Sequence, residues 1–361
     1  MISDSDRPAA SSGSAAGRID LLGLPLARLR SELAEIVDRP FRVEQIYQAL
    51  YGRGVGDFAA MTDLDLGLRA RLAERYRIGL PEITSRATAA DGTCKYLLRL
   101  ADGASIEAVD IPDRRRRTLC ISSQAGCALG CSFCVTGYWG AGRNLTAGEI
   151  VAQVLAIRGA APAEGLRLVF MGMGEPLLNM DNLRPAIEIL SQRIAPRRIT
   201  VSTAGVIPGI EALAGWERRP NLAVSLHAPD DERRSAVMPI NRTYPLADLL
   251  AALRRYPLEK GRKITFEYIL IRDFNDAPAD ADRLARLLAG LRAKVNLIPI
   301  NPDPVLGERM VPPAEAGIAE FQQRLIRRRM TVTVRRRRGD DVSAACGQLR
   351  AFARQPRGIK R

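Results

Sequence analysis

Long apolar runs are missing from this sequence of 361 residues, although 47% of its residues are hydrophobic. No run approaches the ~18 residues that a membrane-spanning helix needs, so we expect no membrane insertion. The first residues contain no basic segment followed by an apolar one, so we also expect no secretory signal. Six cysteines, three of them in one short loop, are not the pattern of a secreted disulfide framework. These features predict a cytoplasmic protein.

Acidic residues are outnumbered: 54 Lys and Arg against 40 Asp and Glu leave a net charge of +14. Two arginine runs stand out, at Arg114–Arg117 and Arg335–Arg338, and Arg327–Arg329 precedes the second. Such clusters are typical of proteins that contact a phosphate backbone, although a charge run can also be only a solvated face. The charge therefore favours a nucleic-acid partner without establishing one.

Cys127, Cys131 and Cys134 form a C-x3-C-x2-C run directly behind the strand-like segment Thr118–Ser123. Three thiols this close can bind one metal centre. A structural zinc site has four protein ligands, and the single histidine, His227, is far away in the sequence. Three thiolates on a cubane iron–sulfur cluster instead leave one iron free to bind a cofactor or substrate. A zinc knuckle completed by a distant residue stays open as the alternative.

The chain divides by pattern into an α/β core with smaller parts at either end. We expect a disordered leader at 1–18, a helical accessory domain at 19–80, a β-meander extension at 81–113, a core at 114–349 and a basic tail at 350–361. Asp91-Gly92 and Asp102-Gly103 lie between alternating apolar runs, which predicts the two turns of the meander.

Seven strand-like runs in the core alternate with stretches of amphipathic helix pattern. The runs are 118–123, 166–171, 199–203, 222–226, 264–271, 295–300 and 330–334. Repeated strand–helix units predict a parallel sheet covered by helices and closed, or partly closed, as a barrel. In such folds the chemistry lies at the carboxyl ends of the strands.

Small polar groups follow four of these runs, as expected for the rim of a nucleoside-sized cofactor site. Together with their neighbours at the strand ends, the candidate residues are Gly174, Glu175, Ser202, Ser225, Leu226, His227 and Asn301. Glycine lets the backbone approach a ligand closely, and Glu175 can accept hydrogen bonds from an ammonium group or a ribose. A lone histidine at a strand end is more often structural, so a purely structural His227 stays open.

The cysteine spacing, placed directly after a strand, resembles the radical S-adenosylmethionine (SAM) enzymes. That resemblance implies a radical-SAM partial (β/α) barrel with a small N-terminal helical domain and a β-meander. It also implies a [4Fe-4S] cluster held by Cys127, Cys131 and Cys134, whose open iron binds SAM. In that family, SAM bound on the cluster is cleaved to a 5′-deoxyadenosyl radical.

From Leu21 to Leu349 the chain more closely resembles the RlmN/Cfr family of RNA adenine methyltransferases. The segments that carry the resemblance are Pro40–Ile46, Thr118–Cys127, Gly142–Thr146, Met171–Pro176 and Ala344–Gln348. Membership implies methylation of adenine carbon 2 in 23S rRNA and tRNA. It further implies an electron donor such as flavodoxin, and we expect a monomer.

The same resemblance gives roles to three residues that have ordinary alternatives when taken singly: a buried thiol, an exposed carboxylate and a helix thiol. Cys346 would receive a methyl group from one SAM, and a second SAM would yield the radical that removes hydrogen from it. Glu107 would take the proton from the adenine carbon. Cys120 would then attack Cys346 and release the base through a transient disulfide.

Two alternatives to this function remain. Methylation at carbon 8, the Cfr type, differs little in sequence, although Pro176 favours the RlmN type. A non-catalytic RNA-binding protein with a metal site is the other. The chain departs from the family pattern between Val135 and Ala141, and we expect Cys94 to be a structural strand residue.

Overall fold

The computed structural model describes residues 17–113, 116–158, 165–308, 310–335, 338–339, 342–344 and 347–349. Most of the expected leader, all of the basic tail and Cys346 lie outside the described residues. The domain boundaries given above stay a prediction.

Three helices form the N-terminal module: α1 (Leu26–Glu32), α2 (Pro40–Tyr47) and α3 (Leu66–Arg75). Proline at the first position of α2 suits a helix start, because the missing N–H has no partner there in any helix. The apolar spacing predicts α1 as far as Ile36, but the helix ends at Glu32 and the chain turns before Pro40. A short π-helical turn at Gln48–Gly52 extends α2.

One sheet of ten strands, counted over the described residues, forms the rest of the framework. We number its strands β1 (Glu82–Thr88), β2 (Cys94–Arg99), β3 (Ser105–Asp113), β4 (Arg116–Cys120), β5 (Leu166–Phe170), β6 (Ile199–Thr203), β7 (Asn221–Ser225), β8 (Ile264–Leu270), β9 (Ala293–Pro299) and β10 (Thr331–Val334). Their spatial order follows their sequence order from β1 to β10. Four further strands of two residues each pair outside this sheet.

The strands β1, β2 and β3 form the predicted antiparallel meander. Both of its turns are closed by an aspartate: Asp91 accepts a hydrogen bond from the Thr93 backbone at 2.9 Å, and Asp102 accepts one from Ala104 at 3.0 Å. The meander continues into the barrel sheet because β3 pairs antiparallel with β4. It is therefore an extension of the core sheet rather than a separate layer.

From β4 to β10 all neighbouring strands are parallel. The helices are α4 (Val135–Tyr138), α5 (Ala147–Arg158), α6 (Met180–Leu190), α7 (Ile207–Ala214), α8 (Asp231–Val237), α9 (Leu246–Arg255), α10 (Pro278–Leu287) and α11 (Glu315–Arg327). The outer neighbour of β4 is β3 and not β10, so the barrel is open on that side. The predicted partial (β/α) barrel is confirmed. Within the described part of the chain, no helix is long and apolar enough to cross a bilayer.

Candidate active site

A cavity lies at the carboxyl ends of the parallel strands, with an empty volume of about 850 Å³ including its open side. Polar groups from several strand ends and the three loop cysteines line this one cavity. Among the predicted site residues, those that line it are Cys127, Cys131, Cys134, Gly174, Glu175, Ser202, Ser225 and His227. Leu226 and Asn301 are buried and do not line it.

The three loop cysteines follow β4 and lie on one side of the cavity. Backbone hydrogen bonds shape the loop: Cys134 donates to the Cys131 carbonyl at 3.2 Å, and Cys127 donates to Gly140 at 3.0 Å. The short helix α4 begins directly after Cys134 and contains Val135, which is fully buried. The segment that departs from the family pattern therefore begins in the core at Val135 and ends at the exposed Ala141.

Burial raises the pKa of the Cys127 thiol to about 11 and that of Cys131 further above its usual range. A metal centre binds thiolates, so loading such a centre on this loop releases protons. Among the described residues, no group of three or more His, Cys, Asp and Glu is arranged to hold a single metal ion. The thiolates of an iron–sulfur cubane bind different irons, so a cluster does not require them to meet at one ion.

Glu175 is buried at the end of β5, where both its carboxylate oxygens accept backbone hydrogen bonds. One accepts from Leu177 at 3.0 Å and the other from Ala204 at 2.7 Å, which joins the ends of β5 and β6. Burial outweighs these bonds and raises the pKa of Glu175 to about 7. The preceding Gly174 has a φ of 94°, and a Cβ there would lie 2.4 Å from the Gln124 side chain. Glycine at this position is therefore required by both the backbone conformation and the space.

His227 both supports the fold and faces the cavity. Its Nδ1 accepts a hydrogen bond from the Ile269 backbone at 3.0 Å, so the other ring nitrogen carries the proton. The ring packs edge-on against Phe133, with centroids 4.5 Å apart. Burial lowers the pKa of His227 to about 3, so the imidazole is neutral near pH 7. The structural and ligand-contact interpretations of this residue are compatible.

Arg234 is a site residue that sequence reasoning missed. It is fully buried on α8, yet it donates hydrogen bonds to the carbonyls of Ala204, Ser225 and Leu226 and to the Asn241 side chain. Burial lowers the pKa of Arg234 to about 10. In the sequence this arginine sits in a charged stretch typical of an exposed helix face, so no local pattern indicated its role.

A second missed feature is a row of polar side chains across β8, β9 and β10, which runs from the cavity to the exposed edge strand. Glu267 of β8 lines the cavity and accepts a hydrogen bond from Asn296 of β9 at 2.7 Å. Thr333 of β10 in turn donates to the Asn296 side chain at 3.0 Å. Burial raises the pKa of Glu267. Arg335, the first member of the second arginine run, also lines the cavity, so that run is not simply an outer surface.

Glu107 and Cys120 do not line this cavity but share one face of the same sheet, where β3 pairs with β4. Cys120 pairs with Val109, and Glu107 lies two residues away on the same strand as Val109. Because side chains alternate along a strand, Glu107 and Cys120 point to the same side. Glu107 is buried, with 1% exposure, and its carboxylate lies 3.2 Å from the Lys95 ammonium. The exposed-carboxylate interpretation of Glu107 is thus wrong.

Described residues near the end of the chain contact the helix that follows the cysteine loop. Val135, directly after the cysteine loop, donates to the Gly347 carbonyl at 2.6 Å, and Thr136 donates to the Leu349 carbonyl at 2.8 Å. Gly347 lines the cavity. Cys346, the preceding residue in the sequence, lies outside the described residues. None of the five described cysteines forms a disulfide. Cys94 is buried in β2 and accepts a hydrogen bond from Arg86.

An open barrel with three cysteines in the loop after its first strand defines a radical SAM protein. The model of the radical SAM superfamily matches residues 121–285, and a model described as the ribosomal RNA large subunit methyltransferase N-terminal domain matches residues 19–78. The family implies SAM and a [4Fe-4S] cluster as cofactors.

Full-length relatives narrow the assignment. The chain is 47% identical to the dual-specificity RNA methyltransferase RlmN of Anaeromyxobacter dehalogenans over 92% of either chain, and 48% identical to that of Geobacter sulfurreducens, with the same coverage. A crystal structure of a radical SAM methyltransferase from Sphaerobacter thermophilus superposes with a TM-score of 0.87 at 46% identity, covering 92% of this chain and 99% of that one. The chain belongs to the RlmN family, which confirms the resemblance. The alternative of a non-catalytic metal-containing RNA-binding protein is not supported.

Proposed function

We propose that this protein methylates carbon 2 of adenine in 23S rRNA and tRNA through an S-methylcysteine at Cys346. The observation that carries the proposal is one cavity lined by the three loop cysteines, by polar groups at the strand ends and by Gly347 of the C-terminal segment. A cofactor held by the first two groups therefore lies beside the segment that contains the proposed methyl carrier. Family membership supports the reaction class.

The donor set suits the implied cofactors. Cys127, Cys131 and Cys134 present three soft sulfur ligands to the cavity, which suits a cluster with one iron left for a further ligand. Bound together, the cluster and SAM supply a 5′-deoxyadenosyl radical. Glu175, Ser202 and Ser225 line the same cavity and offer hydrogen-bonding groups to a nucleoside and its amino acid moiety. The neutral His227 can donate through its second ring nitrogen.

The residues of the chain then divide the reaction between them. Cys346 would accept a methyl group from a first SAM, lose a hydrogen atom to the radical from a second, and bond through its carbon to adenine; the unpaired electron of this adduct would pass to the cluster. Glu107 accepts the proton from the adenine carbon. Cys120 would attack the Cys346 sulfur to form a disulfide; the sulfur–carbon bond would break with its electron pair on the carbon, which takes a proton to complete the methyl group as the base leaves. The shared face of Glu107 and Cys120 supports a common role.

The remaining partners follow from this reaction. Electrons come from a carrier such as flavodoxin. The enzyme acts in the cytoplasm, as a monomer. The exposed arginines Arg116, Arg327 and Arg329 are available to RNA phosphates. Because the resolving disulfide must be reduced after each turnover, a reducing compartment is required.

The test is anaerobic reconstitution with iron and sulfide, followed by reaction with SAM, a reductant and transcribed 23S rRNA fragments or tRNA. Nucleoside mass spectrometry should find 2-methyladenosine, and Cys346→Ala should give none. 8-Methyladenosine would move the specificity to the Cfr type. A protein that binds stoichiometric zinc and makes no methylated nucleoside would refute the proposal.

A further inference from the structure

Lys95 connects the proposed base to the segment that contains the proposed methyl carrier. Its ammonium lies 3.2 Å from a Glu107 carboxylate oxygen, and the same nitrogen donates to the Ser343 carbonyl at 3.2 Å. The side chains are nearly buried, with 11% exposure for Lys95 and 2% for Glu107. Removing two charges from water is costly, so such a pair is kept only with close, well-satisfied contacts.

The strand register shows which side of the sheet this pair occupies. Lys95 of β2 is directly opposite Val109 of β3, which is opposite Cys120 of β4. Lys95, Glu107 and Cys120 therefore share one face. The ion pair of Arg117 with the buried Asp110 belongs to the other face, since Asp110 is adjacent to Val109 in β3. The Lys95 pair is on the side of the proposed chemistry.

We infer that Lys95 is a positioning residue for Glu107: the Ser343 carbonyl fixes the ammonium, and the ammonium holds the carboxylate ionised and in place to accept a proton. This inference rests on the proposed function, in which Glu107 is the base. Lysine supplies a compact positive charge that can contact a carboxylate and a carbonyl at once. The inference also explains why a buried carboxylate at this position remains able to take a proton.

The charge of Lys95 has a measurable consequence for the pH dependence of the reaction. An opposite charge within ~4–6 Å lowers the pKa of a carboxyl group by about 1–3 units. Among the described residues, alternation also places Glu82, Arg99, Asp113 and Arg116 on the face that Lys95, Glu107 and Cys120 share, but Lys95 is the one whose charged atom lies 3.2 Å from the Glu107 carboxylate; Cys346 belongs to the adjoining segment. Removing the ammonium raises the pKa of Glu107, so the proton-accepting form is lost at a higher pH.

The experiment compares the reconstituted wild-type holoenzyme with Lys95→Gln, Lys95→Met and Lys95→Arg. Single-turnover formation of methyladenosine is measured from about pH 5 to 8, with the protein–RNA adduct followed on denaturing gels. Lys95→Gln and Lys95→Met should accumulate the protein–RNA adduct. The acidic limb of their pH profile of methyladenosine formation should move to a higher pH by about 1–3 units. Lys95→Arg should return the limb to within about half a unit of its wild-type position, because the charge is kept. Arg99→Met, which removes an exposed pair on the same strand, is the matched control and should match the wild type.

Methylation of Cys346, read by peptide mass spectrometry, keeps the two proposals separable. If the wild type carries no methyl group at Cys346, the proposed function fails. If it does, and if Glu107→Gln traps the adduct, the proposed function stands. In that case, an acidic limb of the pH profile that stays at the wild-type pH in folded Lys95→Gln overturns the role of Lys95 but not the proposed function. Loss of Cys346 methylation in Lys95→Gln also overturns that role, because the lysine would then act on the segment as a whole. Lys95→Gln can keep a neutral hydrogen bond to Ser343, so it tests the charge even if Lys95→Met does not fold.

Discussion

Replacing Arg234 with methionine should destabilise the protein and weaken SAM binding together. The side chain is fully buried and donates to three carbonyls at the ends of β6 and β7 and to Asn241. Methionine preserves much of the volume, so the main loss is of hydrogen bonds. Each bond to a charged donor contributes about 1.5–3 kcal/mol, but the contributions do not add fully. A loss of about 3–5 kcal/mol in the free energy of unfolding is therefore expected.

Urea denaturation of the apoprotein measures that loss, and calorimetric titration of the reconstituted protein measures SAM affinity. The three carbonyls belong to Ala204, Ser225 and Leu226, next to residues that line the cofactor cavity, so affinity should fall with stability. Arg255→Met is the matched control, because Arg255 and its partner Glu211 are both exposed. Its effect should stay below about 1 kcal/mol. A similarly small change in Arg234→Met, with SAM affinity intact, would contradict the assignment of Arg234 as the residue that holds these strand ends.

Three further outcomes are expected. Changing Cys127, Cys131 or Cys134 to Ala should remove most iron and abolish reductive SAM cleavage, and wild-type iron content in any of them would count against the cluster assignment. Replacing Arg327 and Arg329 with Gln should lower the log–log salt slope of RNA binding by roughly 0.7–0.9 for each phosphate that is no longer neutralised, whereas an unchanged slope would make them solvated residues. In the folded apoprotein the pKa of His227 is about 3, below its unfolded value of about 6.5, so the stability that the neutral ring contributes is lost as pH falls from about 6.5. The folded pKa of Glu175 is about 7, above its unfolded value of about 4.3, so the stability that the protonated carboxyl contributes is lost as pH rises from about 4.3. Between about pH 4.5 and 6.5, urea titrations should show that the free energy of unfolding rises more steeply with pH in Glu175→Gln than in the wild type, and less steeply in His227→Asn. Equal slopes in the three proteins would refute the opposite contributions of the two residues.

Local chemistry made part of this site predictable. The spacing alone predicted the cysteine loop, because three thiols within eight residues are held close together by the chain itself. The meander turns follow from Asp-Gly, because the aspartate side chain closes the turn on its own backbone. Alternating strand and helix patterns predicted the partial barrel, and with it the strand ends at which Glu175, Ser202, Ser225 and His227 line the cavity.

Residues acting across long stretches of sequence were decided only by the tertiary structure. Leu226 lies between two cavity residues, yet strand alternation turns it into the core. Arg234 has the sequence pattern of a surface charge, but in the fold its guanidinium is buried and donates to three strand-end carbonyls. Lys95 and Ser343 are 248 positions apart and meet because the C-terminal segment returns over the meander. Periodicity reports which side of an element is apolar, whereas the partner of a buried polar group depends on which elements the chain brings together.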